Sequence, residues 1–389
     1  MNKQPLFAPT SQVLTFCAGN GISPEPDYLP KEILRDALSS SHINVLLGAG
    51  FCADLLPTLG NREQWLGWSH KHDWRDSALV KSAEALLQLE YFKNVLLPMR
   101  SIAPTPEILD FCSHIKRIIE TRGTTTIPKR ACLFTTNYDP VIELALEKLG
   151  CAYNDGFEGR SNPVFATRSF SRTQYQQSLS MEYSAQVPTL NIIKLHGSVT
   201  WSKNHSPESI CFHNHVEALS AFEDRMQDVM ALAELSEVER LVKLEVEETR
   251  GDFIKVVRRL SEESVSSLIQ FLADYHRTFY LINPTKRKFE ETVLGLTYYE
   301  LLRLYANELD RNNALLISFG FSFEDEHILD ITRRALENPQ LIMLVCCHGE
   351  SDLAKYQEKF QHASNVWYIV SSNGEFALGD FCSVLNEVR

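Results

Sequence analysis

Six short apolar runs, separated by amphipathic helical stretches, constrain this chain more than any other feature. The runs are Ile43–Leu47, Ala131–Thr135, Leu190–Leu195, Ala314–Phe319, Leu341–Cys346 and Val366–Val370. Each suits a strand buried on both faces, and each is too short for an ordinary helix. Most are linked by segments with apolar residues three and four apart: Pro140–Leu149, Glu291–Leu309, Glu324–Glu337 and Asp352–Phe360. Lys31–Leu38 has the same pattern before the first run. Strand–helix alternation of this kind predicts an α/β, Rossmann-like fold with a mainly parallel sheet of about six strands and helical insertions.

Two stretches break the alternation. Residues 61–130 read as helical, with no strand. A second stretch, about 205–280, reads as an inserted helical module, because it is too long for a normal crossover. Its acidic residues, Glu245, Glu247 and Glu248 among them, read as a solvated face or as a docking surface. Residues 1–30 carry Gly19, Gly21, Pro24, Pro26 and Pro30 and read as an N-terminal arm, with 31–389 as one domain. Of the 389 residues, 38 are Lys or Arg and 50 are Asp or Glu, a net charge of −12 that argues against direct nucleic-acid binding. No apolar run approaches the roughly 20 residues that span a bilayer. Met1–Thr10 lacks the basic and apolar regions of a secretory signal. The nine cysteines include no CxxC pair, which points to reduced thiols and a cytoplasmic chain with no membrane association.

In open α/β sheets ligands bind beyond the carboxyl ends of the strands, so the residues after each run matter most. The first run ends in Gly48-Ala49-Gly50-Phe51, a turn that lets backbone approach a phosphate. The full GxGxxG pattern fails at Ala53, and no Gly-Lys-Ser/Thr exists. Alone, the loop is equally well a tight turn. The second run ends in Thr135-Thr136-Asn137-Tyr138-Asp139-Pro140. Asp139 before Pro140 fits a helix N-cap and first helical position, which leaves Asn137 unexplained. The third ends in His196-Gly197-Ser198 and the fourth in Gly320-Phe321-Ser322-Phe323-Glu324-Asp325.

Four consecutive strand ends with these groups suit a dinucleotide whose ribose is attacked. Nicotinamide leaves NAD as a neutral base, so departure needs no general acid. The oxocarbenium-like transition state needs oriented acceptors, a nearby carboxylate and a base for the nucleophile. Asn137, Asp139 and His196 are the candidate catalytic residues. Asn137 would hold ribose or water, Asp139 would meet nicotinamide or positive charge, and His196 is an imidazole able to act as a base near neutral pH. Gly48, Ala49, Gly50, Phe51, Thr135, Gly197, Ser198, Gly320 and Ser322 are the candidate NAD contacts.

The order of these motifs resembles the sirtuin family. Gly48-Ala49-Gly50 is similar to its first motif, Thr135-x-Asn137-x-Asp139 to its second, His196-Gly197 to its catalytic histidine motif, and Gly320 with Ser322 to its glycine–Ser/Thr loop. The chain departs from sirtuin deacylases in two places. Phe51-Cys52-Ala53-Asp54 replaces their Gly-Ile-Pro-Asp-Phe-Arg segment, and only Cys211 stands where they carry two CxxC pairs. A structural zinc is therefore not expected. The departures, with Ile282-Asn283-Pro284-Thr285-Lys286 and the helix after it, resemble sirtuin-like NAD hydrolases of bacterial antiphage defence. The resemblance implies release of nicotinamide and ADP-ribose, NAD depletion on infection, a homo-oligomer, and partnership with a HerA-type hexameric ATPase that gates activity.

Rival readings are a non-catalytic NAD-sensing scaffold and an NAD-dependent deacylase or ADP-ribosyltransferase. Cys211, His213 and His215 alternate as ligands on a strand face would, but no fourth ligand has metal-motif spacing. Cys346-Cys347 reads as core, and the Trp65, Trp68, Trp74 series as core packing or an interface.

Overall fold

The structure is a computed structural model that describes residues 14–18, 31–57, 60–74, 76–122, 127–180, 182–205, 208–281, 292–371 and 375–387. All six expected runs form strands, and two more strands join them at the edges. In chain order these are β1 (Leu14–Ala18), β2 (His42–Leu47), β3 (Arg130–Thr135), β4 (Tyr153–Asn154), β5 (Thr189–Lys194), β6 (Ala314–Phe319), β7 (Ile342–Cys346) and β8 (Val366–Ser371). They form one eight-stranded sheet in the order β1-β8-β7-β6-β2-β3-β5-β4. Only β1 is antiparallel, against β8; the rest pair in parallel. So the stretch 1–30, expected as a lead-in, contributes an edge strand; its other residues lie outside those described. Ile282–Lys286 also lies outside them.

Side chains alternate across the sheet, as the two-residue period of a strand requires. Ile43, Val45, Leu47, Leu315 and Ile317 enter one core, with Leu34, Phe111, Val141 and Phe381 from helices Lys31–Ser40, Pro106–Glu120, Val141–Lys148 and Leu378–Glu387. Leu46, Leu316 and Val345 enter the other, with Tyr305, Ile328 and Tyr356 from helices Thr292–Leu309, Glu326–Ala335 and Glu350–Lys359. Helix Pro106–Glu120 shows how sequence writes such an element. Thr105 Oγ1 accepts from the N–H of Ile108 at 3.3 Å, Pro106 occupies the first turn, and Ile108, Phe111, Cys112, Ile115 and Ile119 make the buried stripe.

The two helical insertions are one body. Trp65, Tyr91 and Phe92 from the first share a core with Phe222, Phe253 and Phe271 from the second. Helix Ser77–Tyr91 packs along helix Glu262–Thr278. The rings of Trp65 and Phe253 lie 5.2 Å apart; Trp65 and Trp74 are buried here and Trp68 packs against them half-buried. Helix Pro106–Glu120 belongs instead to the sheet. The cysteine–histidine alternation is not carried by one strand. Strand Glu208–Phe212 ends before His213, and His215 begins a helix, so the three side chains do not share a strand face.

Topology fixes where a ligand belongs. The chain leaves β2 for β3 on one side, but leaves β6 for β7 on the other. The crevice opens where two neighbouring strands send their connections apart, here between the carboxyl ends of β2 and β6. Register brings the four motifs level, since Phe319 pairs with Leu47, Leu47 with Thr135, and Thr135 with Lys194. Adjacent strands lie roughly 5 Å apart, so four strand ends span the length of a dinucleotide half.

Candidate active site

A cavity of about 430 Å³ occupies that crevice. Asn137, Asp139, His196, Ala49, Gly50, Gly320 and Ser322 all line it. The helical body supplies the facing wall through Tyr91, Val95 and Met99. Those residues follow one another along a helix that passes through a π-turn at Phe92–Leu96, an irregularity common where helices line sites. A second cavity of about 380 Å³ adjoins the first and shares Gly50, Cys52, Gly320 and Ser322 with it. Glu107, Asp352 and Phe51 are among the residues that line that second space.

The glycines serve the loop crossing first. Gly320 sits at φ +63°, and a Cβ there would lie 2.6 Å from the Gly50 carbonyl carbon and the Phe51 nitrogen. A Cβ on Gly48 would lie 2.4 Å from the Gly320 oxygen. The N–H of Gly48 donates to Phe319, that of Gly50 to Gly320, and that of Phe51 to Gly48. The amides expected to hold a pyrophosphate at these three positions are thus spent within the protein. The two loops are bolted backbone to backbone, and the surface they make together is what the cavity sees. The Phe51 side chain packs against Phe111 at 5.3 Å between ring centroids.

Asn137 is oriented from two sides. Its N–H donates to Thr135 Oγ1 at 3.0 Å, and its Nδ2 donates to the Gly48 carbonyl at 3.0 Å. A carbonyl only accepts, so this bond fixes the amide with Oδ1 on the other arm. Thr135 is fully buried and acts through Asn137 rather than lining the cavity.

Asp139 is 3% exposed. The helix after it begins at Val141, one residue later than the sequence suggested, with Pro140 as the flanking residue. Asp139 Oδ1 still accepts the N–H of Val141 at 3.0 Å and faces the Cys52 thiol at 3.7 Å. Burial, then the Asp139 carboxylate, pushes the Cys52 thiol well above its ordinary range, so this cysteine is not a nucleophile. Lys194, 3% exposed at the end of β5, donates to the Asp139 carbonyl and pairs with Glu143 at 3.2 Å. Burial raises the Glu143 carboxyl even beside that ammonium. A lysine within the mostly apolar run Leu190–Leu195 was the legible signal of this anchor.

His196 is held by a residue the motif comparison had given no role. Its Nε2 lies 3.1 Å from Asp325 Oδ2, with side chains 13% and 7% exposed. The Tyr298 ring lies 6.0 Å away. Gly197 turns the chain at φ +82°, and a Cβ there would strike the Tyr280 oxygen at 2.5 Å. Ser198 is fully buried, donates to the Tyr138 carbonyl at 3.1 Å and accepts from Thr200. Ser198 therefore ties the histidine loop to the asparagine loop, Gly197 packs against Tyr280 and bridges to Leu281, and neither is among the residues lining the cavity.

Among the described residues no group of three or more His, Cys, Asp or Glu side chains is arranged to hold a metal. His213 Nε2 instead meets the Val199 carbonyl at 2.7 Å. Among the described residues no helix is long and apolar enough to cross a membrane.

A family model described as a SIR2-like domain matches residues 131–235, which include Asn137, Asp139 and His196. The chain is also similar to a solved Sir2 structure, a histidine-to-alanine variant with a deacetylated p53 peptide and 3′-O-acetyl ADP-ribose. Identity is 12%, coverage is 92% of this chain and 98% of that one, and the TM-score is 0.40. No curated protein matches the chain.

Proposed function

We propose that this chain hydrolyses NAD to nicotinamide and ADP-ribose. The observation that carries the reading is the meeting of Asn137, Asp139 and His196 in one cavity at the sheet's switch point, beside a second cavity of similar size that shares Gly50, Cys52, Gly320 and Ser322 with it. The nicotinamide riboside half fits the first space and the adenosine half the second, with the pyrophosphate across the Gly50–Gly320 junction. Leu56, Val95 and Met99 offer the departing neutral ring an apolar wall. Glu107 and Asp352 offer acceptors to ribose hydroxyls.

The chemistry follows from the residues. The bond from the ribose anomeric carbon to the nicotinamide nitrogen breaks, and its electron pair neutralises the pyridinium. The buried Asp139 carboxylate stabilises the positive charge that remains on the sugar. Asn137 Oδ1 orients the attacking water or a ribose hydroxyl. The new carbon–oxygen bond forms from water, and the proton released passes to His196 and on to solvent.

The likeness of the motif series to antiphage sirtuin-like proteins supports a role in NAD depletion during phage infection. It also supports a gated homo-oligomer that assembles with a HerA-type hexameric ATPase. The test is chromatography of NAD incubated with the full chain, alone and with that ATPase, beside Asn137→Ala and His196→Ala. The expected result is nicotinamide and ADP-ribose in equal amounts, reduced about 10²-fold or more in each variant. NAD binding without product in any arm would replace hydrolysis by a sensing scaffold. Nicotinamide release that depends on an acyl-lysine peptide would replace it by deacylation.

A further inference from the structure

We infer that Asp325 is a positioning residue that fixes the tautomer and orientation of His196. The inference rests on the hydrolytic reading above only for its effect on turnover; the geometry stands apart from it. Asp325 is the N-cap of helix Glu326–Ala335, and its two oxygens divide the work. Oδ1 accepts the N–H groups of His327 at 3.0 Å and Ile328 at 3.3 Å. Oδ2 meets His196 Nε2 at 3.1 Å.

The blander reading is that Asp325 is simply a cap. Asn and Ser cap helices as well as Asp does, and each has one acceptor oxygen to give. What the carboxylate adds is a second acceptor, and the histidine occupies it. An ionised carboxylate only accepts, so the ring nitrogen facing it carries the proton and a neutral imidazole has its lone pair on Nδ1. A general base is held in this way, by an acceptor that orients the ring through one nitrogen.

The backbone ahead of Asp325 is built to hold it. Phe323 has φ +55°, a conformation that aromatic side chains rarely adopt. It is fully buried against Phe321, Tyr356 and Phe360, with ring centroids 4.8, 6.0 and 5.0 Å away. Packing on three rings enforces a strained turn two residues before the carboxylate. Tyr356 also donates to the Phe321 carbonyl at 3.1 Å, and Lys359 to that of Phe323 at 2.9 Å. Helix Glu350–Lys359 thus clamps the loop that aims Asp325.

The experiment uses the full chain with Asp325→Asn and Asp325→Ser. Its primary readout is the ¹⁵N spectrum of the His196 imidazole at alkaline pH, assigned by its loss in His196→Ala. In the Asn variant the amide oxygen stays on the cap and the NH₂ group faces the ring. The expected result is inversion of the tautomer, with the proton moved to Nδ1. The Ser variant keeps the cap but no longer reaches the ring, so a mixture of tautomers is expected at an unchanged melting temperature. In nicotinamide release, kcat is expected to fall about 10²-fold in both variants with KM within about threefold. An imidazole that keeps its Nε2 proton in both variants overturns the inference, as does wild-type kcat in both. If the wild-type chain releases no nicotinamide, hydrolysis falls, and the tautomer readout still decides for or against Asp325.

Discussion

At the scale of single residues, the Tyr91 hydroxyl is the group whose position asks most of a ligand. Tyr91 lines the main cavity, is 1% exposed, and its hydroxyl has no hydrogen-bond partner among the described residues. Burial pushes its phenol well above the ordinary value, so it stays protonated and can donate. An unpaired buried hydroxyl costs about 1–3 kcal/mol, which a bound dinucleotide would return. Tyr91→Phe should therefore raise the melting temperature of the ligand-free chain by about 1–2 °C. It should also weaken NAD binding about five- to tenfold. Calorimetry on the same preparations reads both. A Phe variant that melts lower and binds NAD normally would give Tyr91 a structural role instead.

Secondary-structure elements meet the site at their ends, and the junction of two glycine loops holds those ends together. The turn after β2 and the turn after β6 cross so closely that side chains are excluded from both. Gly320→Ala combines a positive φ with a backbone clash. Gly150, at φ +59° with nothing within 4 Å of its Cβ position, separates the two effects. Gly150→Ala should cost about 1 kcal/mol in urea denaturation, the left-handed penalty alone. Gly320→Ala should cost about 2–3 kcal/mol more and abolish NAD binding. Equal losses in the two variants would mean that the loops yield to a methyl group and that their contact is not what shapes the cavity.

Across the whole molecule, histidines outside the site set an acid limit. Burial lowers the imidazoles of His42, His213 and His215, with Arg311 adding to the effect at His42 and His213 at His215. A base with a depressed folded pKa takes up protons more readily once unfolded. Stability is then full above the ordinary imidazole value of about 6.5 and is lost as pH falls below it. Melting temperature should drop between about pH 7.5 and about pH 5.5, and His213→Gln should flatten that slope. An unchanged slope in the variant would assign the acid sensitivity to other groups. His213 lies where the sheet joins the helical body: its N–H donates to Thr200, and its ring meets Phe279 with centroids 6.3 Å apart.

Local pattern was enough to determine the strands of the central sheet, because burial on both faces leaves a nearly continuous apolar run that few other structures tolerate. It was enough to bring Asn137, Asp139 and His196 to the carboxyl edge of the sheet, where they line one cavity, since polar groups directly after such runs lie at that edge. Edge strands Leu14–Ala18 and Tyr153–Asn154 were not legible, being short and paired on one side. Everything that depends on distant segments meeting was decided by tertiary structure alone. Ser77–Tyr91 and Glu262–Thr278 each show only an amphipathic face, and no local pattern says that the two faces bury each other and so hold Tyr91 at the cavity wall. Asp325 reads in sequence only as part of the helix start after β6, and only the pairing of β6 with β2, β2 with β3 and β3 with β5 brings its second oxygen to His196. The first glycine motif reads equally as a phosphate cradle or a tight turn until the crossing of the two loops shows where the N–H groups of Gly48, Gly50 and Phe51 go. Sequence specifies what each segment buries; which partner does the burying follows from topology.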